Sequence, residues 1–139
     1  MSAERGNACT RMCADKAHLQ AVERGYLIGK VEAYCEQIRA GAKLLAELGF
    51  DGRHTKMVKE MVAASGCKLA LDFRRGQNRP VAHIYKYAFV KRLVETWLGP
   101  SSKPPTGAGI WATGKLFGYS DFEIAQYLRE RGYARDPLR

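Results

Sequence analysis

Residues 68–87, KLALDFRRGQNRPVAHIYKY, decide the fold class, because two strand-like runs flank a turn-rich loop in this stretch. In the first run, Leu69, Leu71 and Phe73 alternate with polar or small residues, a pattern typical of a half-buried strand. The loop RRGQNRP combines turn-forming residues with three arginines. The second run, VAHIYKYAF, is rich in the β-branched and aromatic residues that favour strands. The sequence therefore predicts a β-hairpin with a basic loop.

Helical periodicity precedes this hairpin. Apolar residues recur at steps of four and three, which predicts one long helix over 17–48, or two helices joined near Gly25 and Gly29. The positions of this seam are Leu27, Val31, Tyr34, Ile38, Gly41, Leu45 and Leu48. We expect the seam to pack on the core of the domain, with a homodimer contact as the alternative. Gly49 is expected to end the helix.

Three further helices are predicted from their caps and apolar stripes. One runs near 53–65 with Asp51 as its cap, and another runs from Tyr87 to the Gly-Pro pair at 99–100. The third begins at Ser120, which forms a capping box with Glu123. Residues 100–118 read as a Pro/Gly-rich connector, and residues 1–16 read as a flexible N-terminal tail.

These patterns predict an α+β fold that is mostly helical, with four or so helices and one small β-hairpin. An all-α bundle is the alternative, because the helix that begins at Tyr87 can be extended back to Val81. A chain of 139 residues is long enough for one domain, which we place at 17–139. The four cysteines are scattered and predict free thiols in a cytoplasmic protein, and no apolar run reaches membrane-spanning length.

The net charge of +9 is concentrated in one block of 40 residues. Residues 1–52 carry equal numbers of basic and acidic side chains, whereas residues 53–92 carry ten lysines and arginines against Glu60 and Asp72. A basic block inside a foldable segment is typical of a protein that binds a polyanion. A solvated surface that keeps the protein soluble is the alternative interpretation.

The layout of residues 27–98, with two helices followed by a hairpin with a basic tip, resembles that of a winged helix. By this resemblance the second helix enters a groove of DNA and the hairpin loop contacts the backbone. The candidate nucleic-acid-binding residues are Arg53, His54, Lys56, Lys59, Arg74, Arg75, Arg79, Lys86, Lys91 and Arg92. Tyr85, Tyr87 and Phe73 are expected in the core, with base stacking as their alternative role.

Other motifs fail on their context. Gly109, Gly114 and Lys115 have the spacing of a phosphate-binding P-loop, but Leu116 replaces the hydroxyl residue and prolines replace the preceding strand. Cys9, Cys13 and His18 lack the second ligand pair that structural zinc needs, so no metal and no cofactor is predicted. The histidines fall in three different elements and no nucleophile motif is present, so no catalytic residue is predicted. Asp72 is expected to form an ion pair.

The sequence therefore predicts a small non-enzymatic protein that binds nucleic acid, DNA in preference to RNA, through residues 53–92. The alternative is a protein-interaction module, such as a phage-type inhibitor or adaptor, whose basic face docks on an acidic or nucleic-acid-binding partner. In that case Trp111 and Phe117 of the connector are the candidate anchors.

Overall fold

A computed structural model of the chain describes residues 4–97 and 106–133. In chain order, these residues form α1 (Glu4–Arg39), β1 (Leu45–Gly49), a 3-10 turn (Gly52–His54), α2 (Thr55–Ala64), β2 (Lys68–Asp72), β3 (Val81–Tyr85), α3 (Ala88–Trp97), α4 (Gly107–Leu116) and α5 (Asp121–Glu130). The fold is therefore α+β and mostly helical, as predicted. Helix α1 already includes most of the segment 1–16, and the flexibility expected of that segment stays a prediction.

The three strands form one antiparallel sheet in the order β1-β3-β2. The predicted hairpin is confirmed as β2 and β3, with Lys68 opposite Tyr85 and Asp72 opposite Val81. The all-α alternative is wrong. All five residues of β3 are buried, because this strand lies between two neighbours and both faces of the sheet are covered.

Strand β1 was missed by the sequence analysis, which placed Leu45 and Leu48 on a helix. The helix ends instead at Arg39, because Gly41 adopts a left-handed φ of 76° and the Ala42 amide donates to the Gln37 carbonyl at 2.9 Å. Gly49 does not end a helix, since it pairs with Val81 in the sheet. The periodicity continued across Gly41 by coincidence, and only the glycine marked the true boundary.

The first face of the sheet packs against α1 and α2. Ala82 and Ile84 of the central strand contribute to this core, together with Leu48 of β1. The helices supply the buried residues Leu27, Val31, Cys35, Ile38, Val58 and Val62. The seam predicted on the first helix is therefore correct up to Ile38, and it packs on the core.

The second face packs against α3 and α4. The Leu45 and Tyr85 side chains form a smaller cluster there with Val90 and Leu116. The Leu44 amide donates to the Leu116 carbonyl at 3.0 Å and so joins the end of α4 to the start of β1. The connector predicted at 100–118 thus contains a ten-residue helix, because Thr106 caps it by accepting from the Gly109 amide. The predicted Gly-Pro stop at 99–100 lies outside the described residues.

Helix α5 packs on α4 through a glycine. A Cβ atom at Gly114 would lie 2.7 Å from the Cγ1 atom of Ile124, so a larger residue would displace α5. The predicted capping box is present, since Ser120 accepts from the Glu123 amide while Glu123 accepts from the Ser120 amide. The P-loop-like spacing of Gly109 to Lys115 therefore belongs to a helix with a packing glycine.

Candidate nucleic-acid interface

The loop between β2 and β3 carries three of the predicted arginines, Arg74, Arg75 and Arg79, and all three are exposed. Two turns shape the loop, with the Gly76 amide donating to the Phe73 carbonyl at 2.9 Å and the Arg79 amide donating to the Gly76 carbonyl at 3.2 Å. Gly76 has a φ of 107°, a conformation that side-chain-bearing residues rarely adopt. The loop is thus a folded support for its arginines.

The segment after β1 docks on this loop. The Phe50 amide donates to the Pro80 carbonyl at 3.2 Å, and the Gly52 amide donates to the Asn78 carbonyl at 3.0 Å. The approach is so close that a Cβ atom at Gly52 would lie 2.5 Å from the Gln77 carbonyl oxygen. This docking holds the 3-10 turn and the start of α2 beside the arginine loop.

We call the resulting basic region the hairpin-end surface. It consists of Arg53, Arg74, Arg75 and Arg79, with Lys56 on the adjoining first turn of α2. The carboxylates of Asp51 and Asp72 lie among these cations, and the nearby acidic side chains are Glu23, Glu47 and Glu60. The Asp51 side chain accepts from the Arg53 amide at 2.9 Å and caps the 3-10 turn, whereas α2 itself has no side-chain cap. The predicted role of Asp51 as the cap of α2 is therefore displaced by one turn.

Two arginines of this surface are partly neutralised by adjacent carboxylates. The Arg53 guanidinium binds Asp51 at 3.0 Å, and the Arg74 Nε atom donates to Asp72 at 2.7 Å, which confirms the predicted ion pair. Hydrogen bonds from the arginines lower the pKa of both Asp51 and Asp72. Within 4–97 and 106–133, Arg75 and Arg79 form no salt bridge, so their positive charges remain available to a ligand.

The other predicted residues do not join this surface. Lys86 follows Tyr85 at the opposite end of the sheet, while Lys91 and Arg92 are exposed on α3. Lys59 lies farther along the exposed side of α2, and His54 is half-buried in the 3-10 turn. The basic block of the sequence is therefore divided in three dimensions.

The aromatic residues of the block have different environments. Tyr85 is buried in the second cluster, as predicted, whereas Phe73 and Tyr87 are exposed. Phe73 lies next to Arg74 and borders a groove of about 460 Å³ between α2 and β2. The residues that line this groove are Lys59, Val62, Ala63, Cys67, Leu69, Leu71 and Phe73. Phe73 is thus the exposed ring closest in sequence to the hairpin-end surface.

A polar pair on the second face, formed by the buried His83 and the exposed Glu47, was not predicted. The His83 Nε2 atom lies 3.5 Å from a carboxylate oxygen of Glu47, and this contact lowers the pKa of Glu47. Arg75 lowers the same pKa further through its charge. The pair was missed because Glu47 was assigned to a helix, whereas β1 pairs Glu47 directly with His83.

The two candidate protein-interaction anchors are partly covered. Trp111 is half-buried on α4 with the Lys115 ammonium 6.0 Å from its ring centroid, and Lys115 also pairs with Asp121. Phe117 is half-buried against the second cluster. Both rings therefore have structural contacts within the chain.

Comparisons of the chain with protein-family models, with characterised proteins and with solved structures yield no match. Among residues 4–97 and 106–133, no three metal-binding side chains converge. In the same part of the chain, no helix combines the length and apolarity needed to cross a bilayer. The function must therefore be argued from the charges and contacts of the site itself.

Proposed function

We propose that this protein binds nucleic acid, DNA in preference to RNA, through the hairpin-end surface. The docking of the Gly52 segment on the Asn78 segment supports the proposal, because it brings the turn with Arg53 beside the loop that carries Arg75 and Arg79, whose guanidinium groups form no salt bridge with the described side chains. Guanidinium groups donate two parallel hydrogen bonds to phosphate oxygens, so arginine is well suited to this ligand. The proposal includes no metal ion and no hydrolytic reaction.

The contact is expected to be sequence-independent. The least neutralised charges are those of Arg75, Arg79 and Lys56. The two arginines form no salt bridge with a described side chain, and the Lys56 ammonium is only loosely paired, because it lies 3.9 Å from Glu60 and is largely exposed. Binding to duplex DNA would release counterions and weaken with salt by a slope of about −0.9 per neutralised phosphate. Roughly three phosphate contacts therefore predict a shallow but measurable salt dependence.

The position of α2 beside the hairpin supports the proposed preference for DNA. Strand β1 separates α1 from α2, so the chain lacks the direct helix-turn-helix connection, but the exposed side of α2 and the arginine loop still lie next to each other. A duplex that contacts the loop with its backbone would place a groove near Lys56 and Lys59.

The test is fluorescence anisotropy with a labelled DNA duplex, the matching RNA duplex and single strands. Arg75→Glu/Arg79→Glu should weaken DNA binding by more than about tenfold and reduce the salt slope by about two. The matched control is Lys68→Glu/Lys86→Glu, which makes the same change in net charge at the opposite end of the sheet. Equal weakening by both variants would show that only net charge matters, and absence of binding at low salt would refute the proposal.

A protein-interaction module is the second candidate, and one observation favours it. Helix α5 and the residue before its cap expose three aromatic side chains, Tyr119, Phe122 and Tyr127. Such rings are frequent anchors in protein interfaces. Capture of partners from a native lysate before and after nuclease treatment separates the candidates, because a partner held only through nucleic acid is lost on digestion.

A further inference from the structure

Helix α1 is much longer than its buried part. Its 36 residues extend for about 54 Å at 1.5 Å per residue. Among the described side chains of α1, the buried positions begin at Leu27 and end at Ile38, whereas all those from Asp15 to Tyr26 are exposed. We call residues 15–26 the projecting half. Most helical stability in proteins comes from packing of an apolar side, so a partner that covers the projecting half would stabilise it.

The projecting half has an apolar stripe that nothing in the described chain covers. Leu19, Val22 and Tyr26 are 61%, 55% and 66% exposed, and their spacing of three and four places them on one side of the helix. At 100° per residue, this stripe lies about 130° around the helix from the side that Leu27 and Val31 present to the core. The stripe is therefore a separate surface and not a continuation of the core-facing seam.

Two glycines border this stripe without a role inside the chain. A Cβ atom at Gly25 or at Gly29 would meet nothing within 4 Å. Each glycine costs a helix about 1 kcal/mol relative to alanine, so their presence in the middle of α1 calls for an explanation. Small residues spaced by four allow a second helix to approach the backbone closely, and Ala33 continues this exposed side.

We propose that the projecting half pairs with the same segment of a second copy, in antiparallel orientation. Charge decides the orientation. Asp15 and Lys30 lie at the two ends of the stripe, and the Lys30 ammonium is 5.1 Å from the Tyr26 ring centroid on that side. With Leu19 opposite Tyr26, the antiparallel pair sets Asp15 of each helix opposite Lys30 of the other. A parallel pair in register would oppose like charges instead.

The charge of the projecting half also favours a second copy over a nucleic-acid ligand. Asp15 and Glu23 balance Lys16 and Arg24, so the segment is neutral within a strongly basic protein. Glu23 contributes to the raised pKa of Arg53, after the larger effect of the Asp51 hydrogen bond, which places this part of α1 near the hairpin-end surface. The dimer would therefore carry two hairpin-end surfaces along one helix pair.

The primary test is a charge swap followed by sedimentation velocity over a range of protein concentrations. The full chain should shift with concentration from 15.5 kDa toward twice this mass. Asp15→Lys and Lys30→Asp should each weaken the dimer by about tenfold or more, because symmetry repeats the altered contact. The Asp15→Lys/Lys30→Asp double variant should recover the original affinity within about threefold. A monomer at every concentration, or a double variant that stays weak, would overturn the proposal.

A second pair of variants tests the apolar stripe with matched charge. Val22→Asp places a carboxylate in the stripe and should weaken the dimer by at least about a hundredfold, since an unpaired charge would be buried there. Gln20→Asp adds the same charge on the exposed side that continues Leu27, about 130° from the stripe, and should leave the dimer within about threefold of the original. Equal loss in both variants would contradict the assigned face. Thermal unfolding of each variant at low concentration verifies that the body remains folded.

Discussion

The two halves of α1 belong to one continuous helix, but they differ in what surrounds them. Residues from Leu27 to Ile38 bury one side against the sheet and α2, while residues 15–26 expose a similar apolar stripe to solvent. Both halves have the three-and-four spacing of an amphipathic helix. The comparison teaches that such spacing identifies an apolar side, whereas its coverage depends on which other elements the chain brings to it.

Hydrogen exchange should show the largest difference between the two halves. Amides around Val31 and Cys35 are expected to exchange only by unfolding of the body, because Val31 is fully buried. Amides of 15–26 should exchange by local fraying in dilute protein, with opening free energies lower by several kcal/mol. Mass spectrometry of peptides from each half measures this. Equal protection at a concentration where the protein is monomeric would remove the distinction.

Truncation of one apolar side chain in each half should give the next largest difference. Ile38→Ala leaves a cavity in the first core and should lower the free energy of unfolding by about 2–5 kcal/mol. Leu19→Ala removes a side chain that is exposed in the monomer, so the change should be within about 0.5 kcal/mol. Urea denaturation at low protein concentration measures both. A large loss for Leu19→Ala would mean that the chain itself covers the stripe.

Substitution of glycine by alanine should have opposite effects on stability at the C-terminal end of α1 and in its projecting half. Gly41 has a φ of 76° where α1 ends, so Gly41→Ala should destabilise the protein by about 1 kcal/mol. Gly25 lies within the helix with free space around it, so Gly25→Ala should stabilise the helix locally by up to about 1 kcal/mol and thereby increase its helicity. Circular dichroism and thermal unfolding report on each change. Loss of helicity in Gly25→Ala would reveal a contact at that glycine.

Acidification should lower the free energy of unfolding of the body, and the contribution of any single carboxylate is the smallest of the effects predicted. The pKa of Glu47 is lowered by His83, as are those of Asp51 and Asp72 by their arginines. In the folded protein the pKa values of these groups lie below the ordinary pKa values of 4.5 for Glu and 3.8 for Asp. The carboxylates therefore contribute their full stabilisation at pH values above the ordinary pKa values. This stabilisation is lost as the pH falls through the pKa values that these groups have in the folded protein.

Glu47→Gln is the variant that isolates one of these groups. It should lose a few tenths of a kcal/mol at neutral pH and converge with the original protein in acid. The control is Asp15→Asn, since Asp15 forms no salt bridge with any side chain that the structure describes, and this variant should leave dilute-protein stability unchanged at every pH. Stability curves from pH 2 to 7, a range chosen to bracket the ordinary carboxyl pKa values, provide the comparison. A Glu47→Gln deficit that persists in acid would show that the His83 contact acts through packing.

Local sequence determined the elements whose signals lie among neighbouring residues. The period-two pattern from Leu69 predicted β2, the turn residues predicted the loop before β3, and Ser120 with Glu123 predicted the start of α5. The loop arginines were also found, because three of them lie within six residues of each other. These features depend on steric and hydrogen-bonding preferences over a few residues, which are the same in any fold.

Tertiary structure decided the rest. Residues 45–49 became a strand because β3 offers them a hydrogen-bonding partner more than thirty residues away, a contact that outweighs an apolar spacing compatible with a helix. The docking of Gly52 on the arginine loop, and not the basic block itself, selected which cations share a surface. Pairing and docking between distant segments depend on how the whole chain closes, so the spacing of residues along the sequence could not reveal them.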